Sequence, residues 1–405
     1  MNETVGVGMW RGRPTYAVVD LDALATNITI LREGLSNDAA FMAVVKANAY
    51  GHGAVPIAET ALAAGAASLA VATVDEGAEL RRAGITAPVL VLGPVGEAER
   101  QRAVGLDLAL AISDIGFAAG VASDARMQLR KKPLPVHLKI DTGMRRFGVM
   151  PDDVVPTAQA ILSHPELQLA GVFTHLACAD VEDPAFAHEQ VVIFDRCVTT
   201  LREAGIEVPV HHVANSAATI RFPGFHKDMV RVGIAMYGLR PDISLPLPDG
   251  VKPVMTVHSR VSRVIPLAPG DTVGYGGTWR AEEPAHGALI PIGYADGYQR
   301  ALSSKGWMAI AGNRADILGR VCMDQTIVRL PVAAPRESGQ PVVIVGDGTP
   351  ATLPAPTFDE LAQAAGTIGY ELVASLAARL PKLYVRGGEV VAVADLEGFR
   401  ALVTA

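Results

Sequence analysis

Eight short apolar runs recur through the first 234 residues, separated by stretches rich in Ala, Glu and Arg. They are FMAVV (41–45), SLAVA (68–72), PVLVL (88–92), LALAI (108–112), PVHLKI (135–140), LQLAGVF (167–173), VPVHHVA (208–214) and DMVRVGI (228–234). Short, nearly continuous apolar runs of this kind are the pattern of strands buried on both faces. A helical stretch or a short turn of helix follows most of them. Eight strand–helix units over about 250 residues predict a (β/α)8 barrel, with a doubly wound open sheet as the alternative.

The pattern changes after the proline-rich segment 241–253. Alternating runs appear at 254–265, 287–293, 315–321, 325–330 and 340–346, separated by glycine and proline turns, with one helical stretch at 358–380. Two domains are expected: a barrel over residues 1–250 and a smaller, mostly β domain over 251–405.

Composition narrows the function classes. Of 405 residues, 50% are hydrophobic, enough for sizeable cores. Lys plus Arg number 35 against 42 Asp plus Glu, a net charge of −7 that leaves no basic excess for nucleic-acid phosphates. Cys178, Cys197 and Cys322 are too widely spaced for a disulfide framework or a CxxC metal site. The opening MNETVGVGMWRGRP has no apolar core of signal-peptide length. The most apolar stretch, 61–74, is interrupted by Gly65, Ser68 and Thr73, so no membrane helix is expected. These features predict a cytoplasmic, soluble protein with no nucleic-acid or membrane partner and no metal.

In a (β/α)8 barrel the active site lies at the C-terminal ends of the strands. Lys46 follows the first run. Lys139 and Asp141 end the fifth, with Arg145 and Arg146 behind them. Thr174 and His175 follow the sixth, Asn215 and Ser216 follow the seventh, and Arg231 lies in the eighth. Five of the eight runs thus deliver polar groups to one rim. HExxH, GxSxG and P-loop patterns are absent, which removes several other chemistries. Lys46 is flanked by apolar residues, and desolvation favours the free amine that attacks a carbonyl. A Schiff-base lysine is chemically reasonable there; on spacing alone, a surface lysine after a strand is the plainer reading.

The segment VVKANAYGHG (44–53) resembles the pyridoxal-phosphate attachment segment of alanine racemases. The likeness continues in order through PTYAVVDLDALATNI (14–28), HLKIDTGMRRFG (137–148), FTHLACAD (173–180), HHVANSAA (211–218), DMVRVGIAMYGL (228–239), VGYGGTW (273–279), IPIGYADGY (290–298), GRVCMDQ (319–325) and TIGYE (367–371). The resemblance implies a (β/α)8 barrel followed by a β domain, with pyridoxal 5′-phosphate as cofactor and alanine as substrate. It also implies a homodimer in which each site is completed by the partner's second domain.

By the same resemblance, Lys46 holds the cofactor as an aldimine, and Asn215 belongs to the cofactor site. Tyr50, Ser216, the backbone at Gly233 and Ile234, and Tyr370 hold its phosphate. Arg231 faces the pyridine nitrogen. An arginine cannot accept a proton from that nitrogen, so the ring stays a weaker electron sink with fewer side reactions. A rim salt bridge to Asp228 is the plainer reading of Arg231 taken alone. Racemisation needs two acid/base groups on opposite faces of Cα. The resemblance assigns the D-alanine proton to Lys46 and the L-alanine proton to Tyr275 of the neighbouring subunit. A free tyrosine has a pKa near ~10, so its phenolate needs help. His175 and Arg231, joined by hydrogen bonds, are the implied helpers. Arg146 and the Met323 N–H meet the substrate carboxylate. Lys139 matches a position that is often carbamylated to orient Arg146; an ordinary lysine paired with Asp141 is the other reading. His212 either joins the network near Arg231 or is a satisfied core histidine. Tyr294, Arg300 and Asp324 match the substrate entrance.

The leading function is an alanine racemase supplying D-alanine for peptidoglycan, and the alternative is a broader racemase acting on serine or lysine. Arg231 and Tyr275 argue against a barrel-type decarboxylase, in which a carboxylate takes the arginine's place. The second domain argues against a non-catalytic cofactor-binding barrel.

Overall fold

A computed structural model describes residues 10–402 except 11, 37, 350 and 353. Most of the opening segment read above for a signal peptide lies outside these described residues. The first strand, β1 (Tyr16–Asp20), stands apart from the barrel. The barrel is built by β2 (Ala40–Val44), β3 (Ser68–Val71), β4 (Val89–Val91), β5 (Ala109–Ile112), β6 (Leu134–Lys139), β7 (Leu167–Phe173), β8 (His211–His212) and β9 (Met229–Val232). Each of the eight apolar runs contributes one of these strands, although β8 keeps only two residues of its run. They form one sheet in the order β8-β7-β6-β5-β4-β3-β2-β9, with every neighbouring pair parallel. The two ends of this order meet through Arg231 N–H to Ala214 O at 2.9 Å and Asp228 N–H to His211 O at 3.1 Å. Those bonds bring the sheet round into a nearly closed barrel and exclude the open sheet.

Capping explains why the chain leaves strands for helices where it does. Asp20 caps the helix Leu21–Glu33, Thr73 caps Val74–Arg82, and Asp114 caps Ile115–Met127, each through its side-chain oxygen. Phe41, Leu69, Leu90 and Leu108 are fully buried, and each such side chain stabilises the fold by about 1.5–3 kcal/mol relative to exposure.

The rest is mostly β. The next strands are β10 (Met255–Arg260), β11 (Arg263–Leu267), β12 (Thr272–Val273), β13 (Trp279–Arg280), β14 (Ala285–Ile290), β15 (Trp307–Ile310) and β16 (Asn313–Asp316). After them come β17 (Thr326–Arg329), β18 (Pro341–Val345), β19 (Lys382–Arg386), β20 (Glu389–Asp395) and β21 (Gly398–Ala401). The main sheet runs β16-β15-β18-β10-β1-β19-β20-β21. β1 sits inside it, antiparallel to β10 with Tyr16 opposite His258, and parallel to β19 with Ala17 opposite Lys382. The N-terminal strand therefore belongs to the sheet of the second half. β11, β14 and β17 form a smaller sheet, and β12 with β13 a two-stranded ribbon.

Two expectations are refined. The alternating run 254–265 is two strands in different sheets, β10 and β11. The helical stretch 358–380 is two short helices, Phe358–Ala365 and Gly369–Ala374, divided where Gly366 turns left-handed at φ +78°. Among the described residues no helix is long and apolar enough to cross a membrane.

Candidate active site

Immediately after β2 the chain enters an unusual turn. Ala47, Asn48, Ala49 and Tyr50 all have φ between 51° and 53°. Each non-glycine residue in this left-handed conformation costs about 1–2 kcal/mol, so the surroundings must hold it. Ala49 N–H donates to Val45 O, Gly51 N–H to Ala47 O and Gly53 N–H to Asn48 O, each at 2.9 Å. The Asn48 side chain accepts from Ala54 N–H at 2.8 Å. Gly51 continues the turn at φ +78°, and a Cβ there would lie 2.0 Å from the carbonyl oxygen of Val373. The turn therefore docks on the helix Gly369–Ala374, which carries Tyr370.

Lys46 and Tyr50 line a cavity at the C-terminal rim of the barrel. Lys139 enters it from the end of β6, Arg146 from the loop behind, and His175 from beyond β7. Asn215 and Ser216 follow β8, Arg231 lies in β9, and Gly233 and Ile234 follow it. Tyr370 completes the wall. Eleven residues named from the sequence thus share one cavity. Ser216 Oγ accepts from Gly233 N–H at 2.9 Å, and a Cβ on Gly233 would lie 2.5 Å from the Tyr50 hydroxyl. The Tyr50 and Tyr370 rings are 6.0 Å apart. Burial raises the pKa of both, so both hydroxyls stay protonated and able to donate. Asn215 has a structural task as well: its Oδ1 accepts from Ala218 N–H at 3.0 Å and caps the helix Ser216–Arg221.

Arg231 is buried, and its four hydrogen bonds run to neutral acceptors. Nη1 donates to His212 Nδ1 at 3.1 Å and His212 O at 2.7 Å; Nη2 donates to Thr174 O at 2.7 Å and Val213 O at 3.2 Å. Asp228, the salt-bridge partner considered above, instead meets His211, with Nδ1 to Oδ2 at 3.0 Å. The side chain bonded to Arg231 is His212, whereas the resemblance implied His175. Burial pushes Arg231 down to about 9, which leaves it cationic at neutral pH.

Because a guanidinium only donates, His212 Nδ1 accepts, and its Nε2 carries the hydrogen. Nε2 then donates to His137 Nδ1 at 2.9 Å. His137 is a member of this network that the sequence reading missed. Its spacing of two from Lys139 on a strand places both on one face, and that alternation was the available signal. Gly171 makes room, since a Cβ there would lie 2.5 Å from His137 Nδ1. Burial, then Arg231, pushes His137 down to about 4 and holds His175 and His212 well below the usual histidine range. All three are neutral at physiological pH.

Two lysines share the cavity. Burial and then Arg146 lower the pKa of Lys46, opposed by Glu76. Burial, Arg146 and Arg231 bring Lys139 down to about 8, and its Nζ lies 4.5 Å above the Phe147 ring. Asp141, the partner considered for Lys139, uses Oδ1 to accept from Gly143 N–H at 2.8 Å and Arg145 N–H at 3.1 Å.

Tyr275, Met323 and Asp324 lie elsewhere, in a separate open depression shared with Gly274 and Cys322. Tyr275 is 70% exposed and Met323 52% exposed. Asp324 accepts from Arg379 Nη2 at 2.7 Å, and Arg379 Nε donates to the buried Asp296 at 2.7 Å. Tyr294 is exposed, with its N–H on Cys322 O at 3.0 Å, and Arg300 is exposed at the start of a short 3-10 turn. Within one chain these residues do not line the Lys46 cavity.

Residues 19–241 match the family model for the alanine racemase N-terminal domain, and residues 254–384 match that for the C-terminal domain. The chain belongs to the alanine racemase family. It is 41% identical to the alanine racemase of Symbiobacterium thermophilum over 93% of this chain and 98% of the relative. It is 38% identical to that of Desulfovibrio desulfuricans, over 92% and 98% respectively. Among solved structures, the alanine racemase of Bacillus anthracis with bound L-Ala-P superposes with a TM-score of 0.87 at 36% identity, covering 95% of this chain and 98% of that one. That of Streptomyces coelicolor gives 0.85 at 36% identity, covering 92% and 98%. The protein is thus an isomerase of the pyridoxal-phosphate-dependent alanine racemase family. Its cavity suits that cofactor: a partly desolvated primary amine, tyrosine and serine hydroxyls with backbone N–H groups, and a guanidinium converge on one space.

Proposed function

We propose that this family member interconverts L- and D-alanine with Lys46 and Tyr275 handling the proton on opposite faces of Cα. The carrying observation is the shared cavity in which Lys46 faces Arg231 and the tyrosine and serine hydroxyls, while Tyr275 stands exposed on another surface. When bound, pyridoxal 5′-phosphate supplies the electron sink that acidifies Cα–H. Lys46 would hold the cofactor, and its amine would move the D-side proton; its burial favours the neutral amine. Tyr50, Asn215, Ser216, Gly233, Ile234 and Tyr370 form the cofactor and phosphate site. With both Nη atoms occupied, Arg231 would have its Nε–H left to donate to the cofactor's ring nitrogen, and a guanidinium could not take a proton from it. His175 supports the proton-moving groups beside Arg231. Arg146 and the Met323 N–H bind the substrate carboxylate, while Tyr294, Arg300 and Asp324 border the entrance.

The exposure of Tyr275 and Met323 supports a homodimer in which each depression faces the partner's cavity. Lys139, brought to about 8, has a neutral fraction able to take up carbon dioxide, and the resulting anion would sit beside Arg146. A cytoplasmic location and the supply of D-alanine to peptidoglycan complete the reading.

The test is L-alanine with the holoenzyme in D2O, followed by NMR and chiral analysis. Loss of the Cα proton with D-alanine appearing, and neither in Lys46→Ala, is the expected result. Bound cofactor with no exchange on alanine would overturn the proposal. Exchange on serine or lysine at a comparable rate would favour the broader racemase.

A further inference from the structure

Glu76 is the third residue of the helix Val74–Arg82, and none of the roles above uses it. Its ordinary task is a capping box with Thr73: Thr73 Oγ1 accepts from Glu76 N–H at 3.3 Å, and Glu76 Oε2 accepts from Thr73 N–H at 3.2 Å. The carboxylate also reaches further. Oε2 accepts from Ala72 N–H at 2.7 Å, and Oε1 accepts from Ala47 N–H at 2.6 Å. Ala47 follows Lys46 directly and is the first residue of the left-handed turn. The bonds internal to that turn are donated from Ala49 onward, so the N–H of Ala47 relies on Glu76. One half-buried carboxylate therefore ties the end of β3 to the peptide beside the lysine, through charge-assisted bonds.

We infer that Glu76 is a positioning residue for Lys46: its carboxylate holds the strained turn in the conformation that presents the lysine amine to the cofactor. The inference rests on the reading of Lys46 as the cofactor lysine. Glutamine cannot replace the carboxylate here. Both oxygens accept from N–H groups, and an amide nitrogen accepts from none. Either orientation of the amide sets an NH2 group against a backbone donor, at Ala47 or at Ala72 and Thr73.

The test titrates apoenzyme of the wild type, Glu76→Gln, Thr73→Ala and Lys46→Ala with pyridoxal phosphate. Visible absorbance and circular dichroism follow the bound cofactor, and borohydride reduction with peptide mapping locates it. Thr73→Ala removes a cap oxygen alone and is expected to lower the thermal midpoint while binding cofactor as the wild type does. Glu76→Gln is expected to bind at least about tenfold more weakly, with altered visible circular dichroism and the cofactor still on Lys46. A Glu76→Gln protein that loses only thermal midpoint, or equal weakening in both variants, assigns Glu76 to the helix cap and overturns the inference. Cofactor mapped away from Lys46 in the wild type instead sinks the reading on which it rests. Should Glu76→Gln not fold, Glu76→Asp, which withdraws the carboxylate by one methylene, is read in the same way.

Discussion

A guanidinium buried among neutral acceptors has to keep those acceptors neutral, and the histidines behind Arg231 do so. His212 and His137 are linked in a chain whose tautomers are dictated by the arginine at one end. This has a consequence for stability. Burial pushes His137 and the fully buried His52 down to about 4 in the fold and holds His212 well below the usual histidine range. An unfolded histidine titrates near ~6.5. Below that value the unfolded chain binds more protons than the folded one. The contribution is therefore intact above pH ~6.5 and is lost as pH falls towards 4, by up to about 1.4 kcal/mol per pH unit for each group. Urea midpoints measured at pH 7.5 and pH 5 should differ clearly, with a shallower dependence in His137→Gln. Equal midpoints would refute this account. The site was legible where strand ends carry ionisable residues, as at Lys46, Lys139 and Arg231. It was not legible at His137 and Glu76, whose importance lies in partners brought close by folding: His212 is far along the chain from His137, and Ala47 from Glu76.

The element that most shapes the site is the left-handed turn after β2. Its docking on the helix of Tyr370 depends on the missing side chain at Gly51. Gly84 offers a control, with φ +83° and open space where a Cβ would go. Gly84→Ala should cost about 1–2 kcal/mol from backbone strain alone. Gly51→Ala adds an overlap with the Val373 carbonyl, so it should lower the thermal midpoint further and weaken cofactor retention. Matching midpoints in the two variants would show that the docking contact is dispensable. Elements differ in how plainly a sequence announces them. The barrel strands stand out because each is an apolar run with turns or helices on both sides. The run 254–265 hides a change of sheet, because its alternation continues through Val261 and Ser262 while the backbone turns between β10 and β11. β1 is not among the apolar runs read from the sequence, and nothing local in Tyr16–Asp20 names its partners, which lie in the other half of the chain.

At the scale of the molecule, Lys46 and Tyr275 occupy two surfaces of one chain, and the proposed dimer brings one from each copy together. Mixing Lys46→Ala with Tyr275→Phe subunits is a direct check. In a mixed dimer one site carries both substitutions and the other carries neither. Random exchange should restore about a quarter of wild-type activity from two nearly inactive parents, since half of the dimers are mixed and each has one intact site. No recovery, with mixed dimers verified by mass spectrometry, would place both groups in the same chain or remove one of them. The position of β1 reaches beyond catalysis to biosynthesis. On the ribosome β1 emerges before the barrel strands, yet its two neighbours, β10 and β19, emerge only after the whole barrel has been made. The barrel can close while β1 still lacks partners, so the edges of β1 stay unpaired, and open to other nascent chains, until β10 and β19 arrive.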